Sequence, residues 1–229
     1  ASCVEAPVIR IVPPSDSYAG LDSAIGKLQD YHWVIFTSVN GVEHFFARLH
    51  HAGKDARALG YAKIAVIGTA TRDRLRTYGI EADLVPQEFR AEAVVDALRP
   101  ILPPRAHILL PRAQEARDVL PESLSAHGAT VDVAAAYETV PETEHGEELA
   151  VQMMDGAFDY VTFTSSSTVK NLVRMLGNIT PLQHTKIACI GPVTAETAKQ
   201  FGLDPYVVAG TYTIDGLITA IKNCCDDCV

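Results

Sequence analysis

Lys63-Ile64-Ala65-Val66-Ile67-Gly68-Thr69-Ala70-Thr71 decides the fold, because Lys186-Ile187-Ala188-Cys189-Ile190-Gly191-Pro192-Val193-Thr194 repeats it 123 residues later. The correspondence runs without a gap over residues 63–98 and 186–221, matching Gly79 to Gly202, Val85 to Val208 and Ala97 to Ala220. Each copy reads as strand, glycine turn, helix, glycine, strand, helix. The apolar run at 64–67 is short enough for a buried parallel strand, and the helical spacing after Gly68 stops at Gly79. A second strand is expected at Leu84-Val85 and a second helix at residues 91–98. This βαβα order is the unit of a doubly wound parallel sheet.

The repeat extends upstream. Val34-Ile35-Phe36-Thr37-Ser38 precedes the first copy and Val161-Thr162-Phe163-Thr164-Ser165 the second, each a buried strand ending in hydroxyl residues able to cap a helix. Solenoid repeats recur every ~20–50 residues, so so long a period indicates two related domains. The expected fold is α/β, with two doubly wound parallel-sheet lobes.

The chain order suggests how the lobes divide. Residues 10–139 accommodate about five strands, whereas residues 141–229 hold three, after an acidic helix beginning among Glu142, Glu144, Glu147 and Glu148. Three strands make a thin sheet, and residues 1–8 are expected to add a fourth. One lobe is therefore residues 1–8 with 141–229 and the other residues 10–139, with linkers at 9–12 and 137–140. Two adjacent crossings would form a two-stranded linker that serves as a hinge, and the cleft beside it would be the natural ligand site.

The totals set outer bounds. At 229 residues, 48% hydrophobic and 21% charged, this is the composition of an ordinary soluble globular protein, and a net charge of −9 argues against nucleic acid. The five cysteines, at 3, 189, 224, 225 and 228, form no disulfide framework. Cys189 reads as a small buried thiol in a core strand. Cys224, Cys225 and Cys228 lack the second ligand pair of a structural zinc site, so a frayed, reduced tail and a cytoplasmic location are expected, with no metal.

In open α/β sheets ligands lie beyond the carboxyl ends of the strands. Here those positions are Thr37-Ser38, Gly68-Thr69-Ala70-Thr71, Pro111-Arg112, Thr164-Ser165-Ser166 and Gly191-Pro192-Val193-Thr194, almost all small, hydroxylic or glycine. Such loops leave helix N-terminal amides facing an anion, so an acidic chain could still hold carboxylates or phosphates. Ser and Thr at helix starts are usually plain caps, and it is four equivalent loops around one cleft that bring the binding reading level with that one. Fingerprints for dinucleotides, nucleoside triphosphates and hydrolases are missing. Arg112 and Tyr137 are the best ionisable candidates, although a linker tyrosine is more often packing than catalysis.

Phe36-Thr37-Ser38-Val39-Asn40-Gly41-Val42, Ile67-Gly68-Thr69-Ala70-Thr71, Leu110-Pro111-Arg112, Val119-Leu120-Pro121, Tyr137-Glu138-Thr139-Val140, Phe163-Thr164-Ser165-Ser166-Ser167 and Ile190-Gly191-Pro192-Val193-Thr194-Ala195 together resemble the uroporphyrinogen-III synthases. Each motif is weak alone, but their order and spacing span nearly the whole chain. The resemblance implies two α/β lobes on a two-stranded ladder. It also implies a cofactor-independent and metal-free lyase of tetrapyrrole (haem, sirohaem, cobalamin) biosynthesis that closes linear hydroxymethylbilane into uroporphyrinogen III. In that family water is lost to give an azafulvenium ion, and the last pyrrole is inverted through a spiro intermediate. Tyr137 matches the position that would assist departure of the hydroxyl. Thr37, Ser38, Gly68, Thr69, Thr71, Arg112, Ser165, Ser166, Gly191 and Thr194 would bind the substrate, a linear tetrapyrrole polycarboxylate.

Family members begin with a further strand and helix that this chain lacks, and the family also occurs joined to a uroporphyrinogen methyltransferase. A fused or associated methyltransferase is therefore the expected protein partner, with no membrane and with a monomeric synthase part. The competing expectation is a two-lobed binding module that closes on a small polycarboxylate without reacting. It would share the anion-binding loops and have no need of Tyr137.

Overall fold

A computed structural model describes residues 2–88 and 90–226, the side chains of 225 and 226 excepted. The chain divides into two compact units: residues Ala1–Arg10 with Val140–Val229, and residues Ile11–Thr139. Both are α/β, and the chain passes between them twice. No helix among the described residues is long and apolar enough to cross a membrane.

In chain order the elements are β1 Ile9–Val12, α1 Ala19–Gly26, β2 Trp33–Phe36, α2 Val39–His51, β3 Lys63–Val66, α3 Thr69–Arg76, α4 Ala91–Leu98, β4 His107–Ala113, α5 Val119–Ala126 and β5 Thr130–Pro141. There follow α6 Gly146–Met154, β6 Tyr160–Phe163, α7 Ser166–Leu176, β7 Lys186–Cys189, α8 Pro192–Gln200, β8 Pro205–Val208 and α9 Ile214–Asp226.

The 11–139 unit is built on a sheet of order β1-β5-β4-β2-β3, in which β5, β4, β2 and β3 run parallel. Alternation along these strands buries both faces, as a parallel sheet covered by helices requires. Val34, Phe36, Ile64, Val66 and Leu109 pack on one side with Phe45, Phe46 and Leu49 of α2. Trp33, Ile35, Ala65, Ile108 and Leu110 pack on the other with Val94, Val95 and Leu98 of α4.

The other unit carries the parallel sheet β6-β7-β8. Its register repeats that of the first: Trp33 faces Lys63 and Phe36 faces Val66, as Tyr160 faces Lys186 and Phe163 faces Cys189. The sequence repeat is thus a repeat of strand register as well as of residues.

Several expected elements differ. Leu84 makes only an isolated parallel bridge to Ala65, because the Asp83 carboxylate accepts the Ile64 N–H at 2.7 Å and occupies the donor a longer ladder would need. Pro86, two residues on, has no N–H to extend the pairing. In the second copy β8 pairs over several residues.

Residues 2–8 form no strand. Val4 is 63% exposed, and only Val8 packs on the Leu149–Met153–Phe163 cluster, its carbonyl accepting from Glu142 N–H at 3.1 Å. Glu142 does not start a helix either. Its buried carboxylate accepts the N–H groups of Thr143 and Glu144, and α6 begins at Gly146. At the other end, Cys224 is half-buried inside α9 instead of lying in a frayed tail, and Cys228 is outside the described residues.

Candidate functional site

Because β2, β3, β4 and β5 are parallel, their carboxyl ends share one edge of the sheet. Ser38, after β2, caps α2: its backbone is extended and its Oγ accepts the Gly41 N–H at 3.0 Å. A Cβ on Gly41 would lie 3.2 Å from the Pro111 carbonyl oxygen, so glycine lets the first turn of α2 approach β4 closely. Gly68 caps α3 without a side-chain acceptor, leaving the first-turn amides of Thr69, Ala70 and Thr71 without a side-chain cap. Thr69 is exposed and Thr71 buried.

Tyr137 lies within β5, not at its end, because the strand continues to Pro141 beside β1. An irregularity aims it. Arg112 pairs with Ala135 but Ala113 pairs with Tyr137, so Ala136 is an extra residue in β5. A bulge of this kind breaks the strict alternation of faces, and Ala136 and Tyr137 are both buried in succession. The backbone is pinned there by the Gln114 N–H donating to the Tyr137 carbonyl at 2.8 Å. The phenol, 7% exposed, places its Oη 3.1 Å from Ser38 Oγ. Two predicted residues separated by 99 positions are thereby in hydrogen-bond contact.

Arg112 lies inside β4 and is buried. One Nη donates to the Arg117 carbonyl at 2.8 Å and the other pairs with the Asp118 carboxylate, while Nε is buried with no hydrogen-bond partner among the described residues. The cation is therefore fastened to the loop before α5, opposite a carboxylate that is itself mostly exposed.

One neighbour of Tyr137 escaped the sequence reading. His44, on α2, stacks on the Tyr137 ring with centroids 5.6 Å apart and planes 25° apart. Burial lowers its pKa from the ordinary histidine value, against a small opposing pull from Glu43, which favours the neutral ring. The signal was available: His44 stands three residues after Gly41, so the two share a face of α2.

The equivalent positions in the second unit are more fully occupied. Ser165 forms a reciprocal capping box with Thr168 at the start of α7. Ser166 Oγ donates to the Val193 carbonyl at 3.4 Å and accepts from Thr197 Oγ1 at 2.7 Å, tying the first turn of α7 to α8. Gly191 caps α8, but Pro192 follows it and supplies no N–H, so the first available amide is that of Val193. A Cβ on Gly191 would meet the Tyr212 ring at 3.1 Å, and Thr194 is buried. Thr37 is half-buried directly before the α2 cap.

Two parallel-sheet α/β units of matched register, one of them bringing the Tyr137 phenol of β5 against the Ser38 hydroxyl that follows β2, define a two-lobed α/β protein with no sequence fingerprint for a nucleotide. The family model described as uroporphyrinogen-III synthase HemD matches residues 1–219, and the chain belongs to that family, whose members are enzymes of tetrapyrrole biosynthesis. A uroporphyrinogen-III synthase of Synechococcus elongatus is 32% identical over 231 residues, covering 97% of this chain and 86% of that one. A porphyrin biosynthesis protein HemD of Ruminiclostridium josui is 32% identical over 218 residues, but this chain spans only 43% of its length. The uroporphyrinogen-III synthetase structure from Helicobacter pylori shares the fold, with a TM-score of 0.62 at 17% identity over 95% of this chain and 91% of that one.

Proposed function

We propose that this chain converts linear hydroxymethylbilane to uroporphyrinogen III, with Tyr137 assisting loss of the terminal hydroxyl. The observation that carries the assignment of roles is the Tyr137 phenol, turned by the β5 bulge to meet Ser38 Oγ at the carboxyl edge of the sheet. Ser38 Oγ already accepts the Gly41 N–H, and the phenol can hold its proton toward a second acceptor.

In the proposed step Tyr137 Oη–H hydrogen-bonds the departing hydroxyl of the substrate. The C–O bond breaks as the adjacent pyrrole nitrogen supplies its electron pair and the phenol proton passes to the leaving oxygen, giving an azafulvenium cation, water and the Tyr137 phenolate. The substituted α-carbon of the last pyrrole then attacks the cation to give the spiro intermediate. Its original bond to the neighbouring methylene breaks, leaving an azafulvenium on the third ring, and the free α-carbon of the last pyrrole bonds to that methylene. Loss of the α-proton to the Tyr137 phenolate restores aromaticity and the neutral phenol. A buried phenol adds no charge that would repel a polycarboxylate. The uncapped amides at the start of α3 are donors for substrate carboxylates, assisted by the helix dipole. Ser165, Ser166 and the amides of α8 beyond Pro192 offer donors in the other unit. Arg112 binds a carboxylate by exchanging its exposed partner Asp118 for the substrate.

We place the activity in the cytoplasm and in a monomer, with a methyltransferase, fused or associated, consuming the product. The longer Ruminiclostridium relative supports a neighbouring domain in that protein. The decisive experiment is incubation with hydroxymethylbilane and separation of the products. Spontaneous closure gives the type I isomer, so accumulation of type III supports catalysis, and type I alone refutes it in favour of passive binding.

A further inference from the structure

The Tyr137 ring belongs to a stacked column that reaches back to α1. His44, stacked on Tyr137, also lies 6.3 Å from the Tyr18 ring with planes 25° apart, and its Nδ1 is 3.3 Å from Tyr18 Oη. The Arg48 guanidinium sits 4.8 Å over the Tyr18 ring and is held in place by two hydrogen bonds to Asp22. Tyr18 itself is in the left-handed region, φ 70°, directly after Ser17 at φ 52°. Non-glycine residues adopt that conformation at a cost, and such strain persists only where surrounding groups impose it. Here the Asp16 carboxylate does so, accepting the N–H groups of Tyr18 and Gly20 at 3.0 and 2.9 Å.

The column matters because a phenol is poorly fixed by its own torsions. The terminal torsion of tyrosine is broad, and a single hydrogen bond between Oη and Ser38 Oγ leaves the ring plane undetermined. A flat partner on its face determines it. Imidazole does this better than a plain aromatic ring, since its Nδ1 contact with Tyr18 anchors its own plane.

We propose that His44 is a positioning residue for Tyr137: through the stack it holds the phenol in the plane from which Oη reaches the departing hydroxyl. This rests on Tyr137 having the role assigned above. Burial favours the neutral imidazole, which suits a stacking partner that must not compete for the substrate's carboxylates.

The test measures kcat, KM and thermal unfolding with the type III isomer quantified, in wild type, His44→Ala, His44→Phe, Tyr137→Phe and the double variant His44→Ala/Tyr137→Phe. The expected result for His44→Ala is a kcat loss of about tenfold with KM changed less than about twofold, since misplacement of a reacting group lowers rate more than binding. His44→Phe should recover part of that loss, restoring the flat face without its anchor to Tyr18. The double variant should be no slower than Tyr137→Phe alone, because residues acting as one unit are not additive. Wild-type kcat in His44→Ala while Tyr137→Phe is slow, or a double variant that multiplies the two losses, overturns the positioning role alone. Wild-type turnover in Tyr137→Phe removes the catalytic reading and this inference with it. Should His44→Ala fail to fold, Tyr18→Phe removes only the anchoring hydroxyl, and a kcat loss at unchanged thermal stability is then expected; unchanged kcat overturns the proposal.

Discussion

Tyr137 Oη lies 3.1 Å from Ser38 Oγ, joining the bulged strand β5 to the cap of α2. The contact makes the phenol removable in a clean way, because phenylalanine fills the same buried site. Tyr137→Phe should lower kcat by about 10²–10⁴, the usual worth of general acid help, while KM changes little. Loss of one hydrogen bond should cost only about 0.5–1.5 kcal/mol of stability. Steady-state kinetics and thermal unfolding on one preparation check both; near-wild-type turnover would remove Tyr137 from the mechanism.

Arg112 gives the second prediction, because its partner is exposed and it is not. If a substrate carboxylate replaces Asp118, then Asp118→Asn weakens the competitor and should lower KM several-fold. Arg112→Gln should raise KM by about tenfold or more, the loss of a charge-assisted hydrogen bond. Unchanged KM in both variants, with lower thermal stability, would assign Arg112 to holding the 113–118 loop.

Cys189 is fully buried in β7, and burial pushes its thiol up to about 11. The thiolate is the reactive form, so iodoacetamide at pH 8 should leave Cys189 unmodified in the folded protein while exposed Cys3 is labelled. Peptide mass mapping before and after denaturation reads this directly, and labelling of native Cys189 would contradict the packing of that strand.

The alternation of the strands and the matched glycines were legible because local pattern alone dictates them, and the register repeat in both sheets follows from the same residues. Other features depend on partners far along the chain. Nothing local distinguishes Asp83, whose side chain ends a ladder at Ile64, from an ordinary loop aspartate. The extra residue at Ala136 is invisible in a run of three alanines, yet it decides where Tyr137 points. Helical spacing places His44 near Gly41, but only the packing of α2 on β5 brings it onto Tyr137. Hydroxyl residues after strands read alike as caps or as binding groups, and the Ser165 hydroxyl accepts the Thr168 N–H of the capping box while lying 2.9 Å from Ser167 Oγ.

A polar cluster at the amino end of β5 sets a pH prediction. Burial alone would raise the pKa of Asp132, but the Tyr31 hydroxyl at 2.6 Å, Lys27 at 2.9 Å and His107 outweigh it and hold the carboxylate below its ordinary value. A depressed folded pKa contributes stability above the unfolded value of about 3.9 that is lost as pH falls through the folded one. Burial and the bond to Asp132 raise the Tyr31 phenol, so its contribution is complete below about pH 10 and fades as pH rises through the folded value. Asp132→Asn should therefore destabilise at neutral pH by an amount that shrinks on acidification. Urea unfolding from pH 3 to 10 measures it, and a difference constant with pH would show that the carboxylate charge is not involved.

The last prediction separates backbone from side-chain binding at the strand ends. Ser38→Ala removes the α2 cap, costing about 1 kcal/mol of stability, and deprives Tyr137 of a neighbour without removing its proton. Its rate should fall by less than about tenfold. Thr69 is the first residue of α3, a position where proline fits a helix because that N–H makes no intrahelical bond. Gly68 before it is already extended, at φ −139° and ψ 167°, which is the conformation a following proline demands. Thr69→Pro therefore deletes one anion-facing amide while leaving fold and stability nearly intact. If backbone donors hold the substrate carboxylates, it should raise KM and lower kcat/KM by more than Ser38→Ala does. A control at the same site, Thr69→Ala, keeps the amide and should behave as wild type. A silent Thr69→Pro beside an inactive Ser38→Ala would mean that hydroxyl side chains, and not the start of α3, carry the binding.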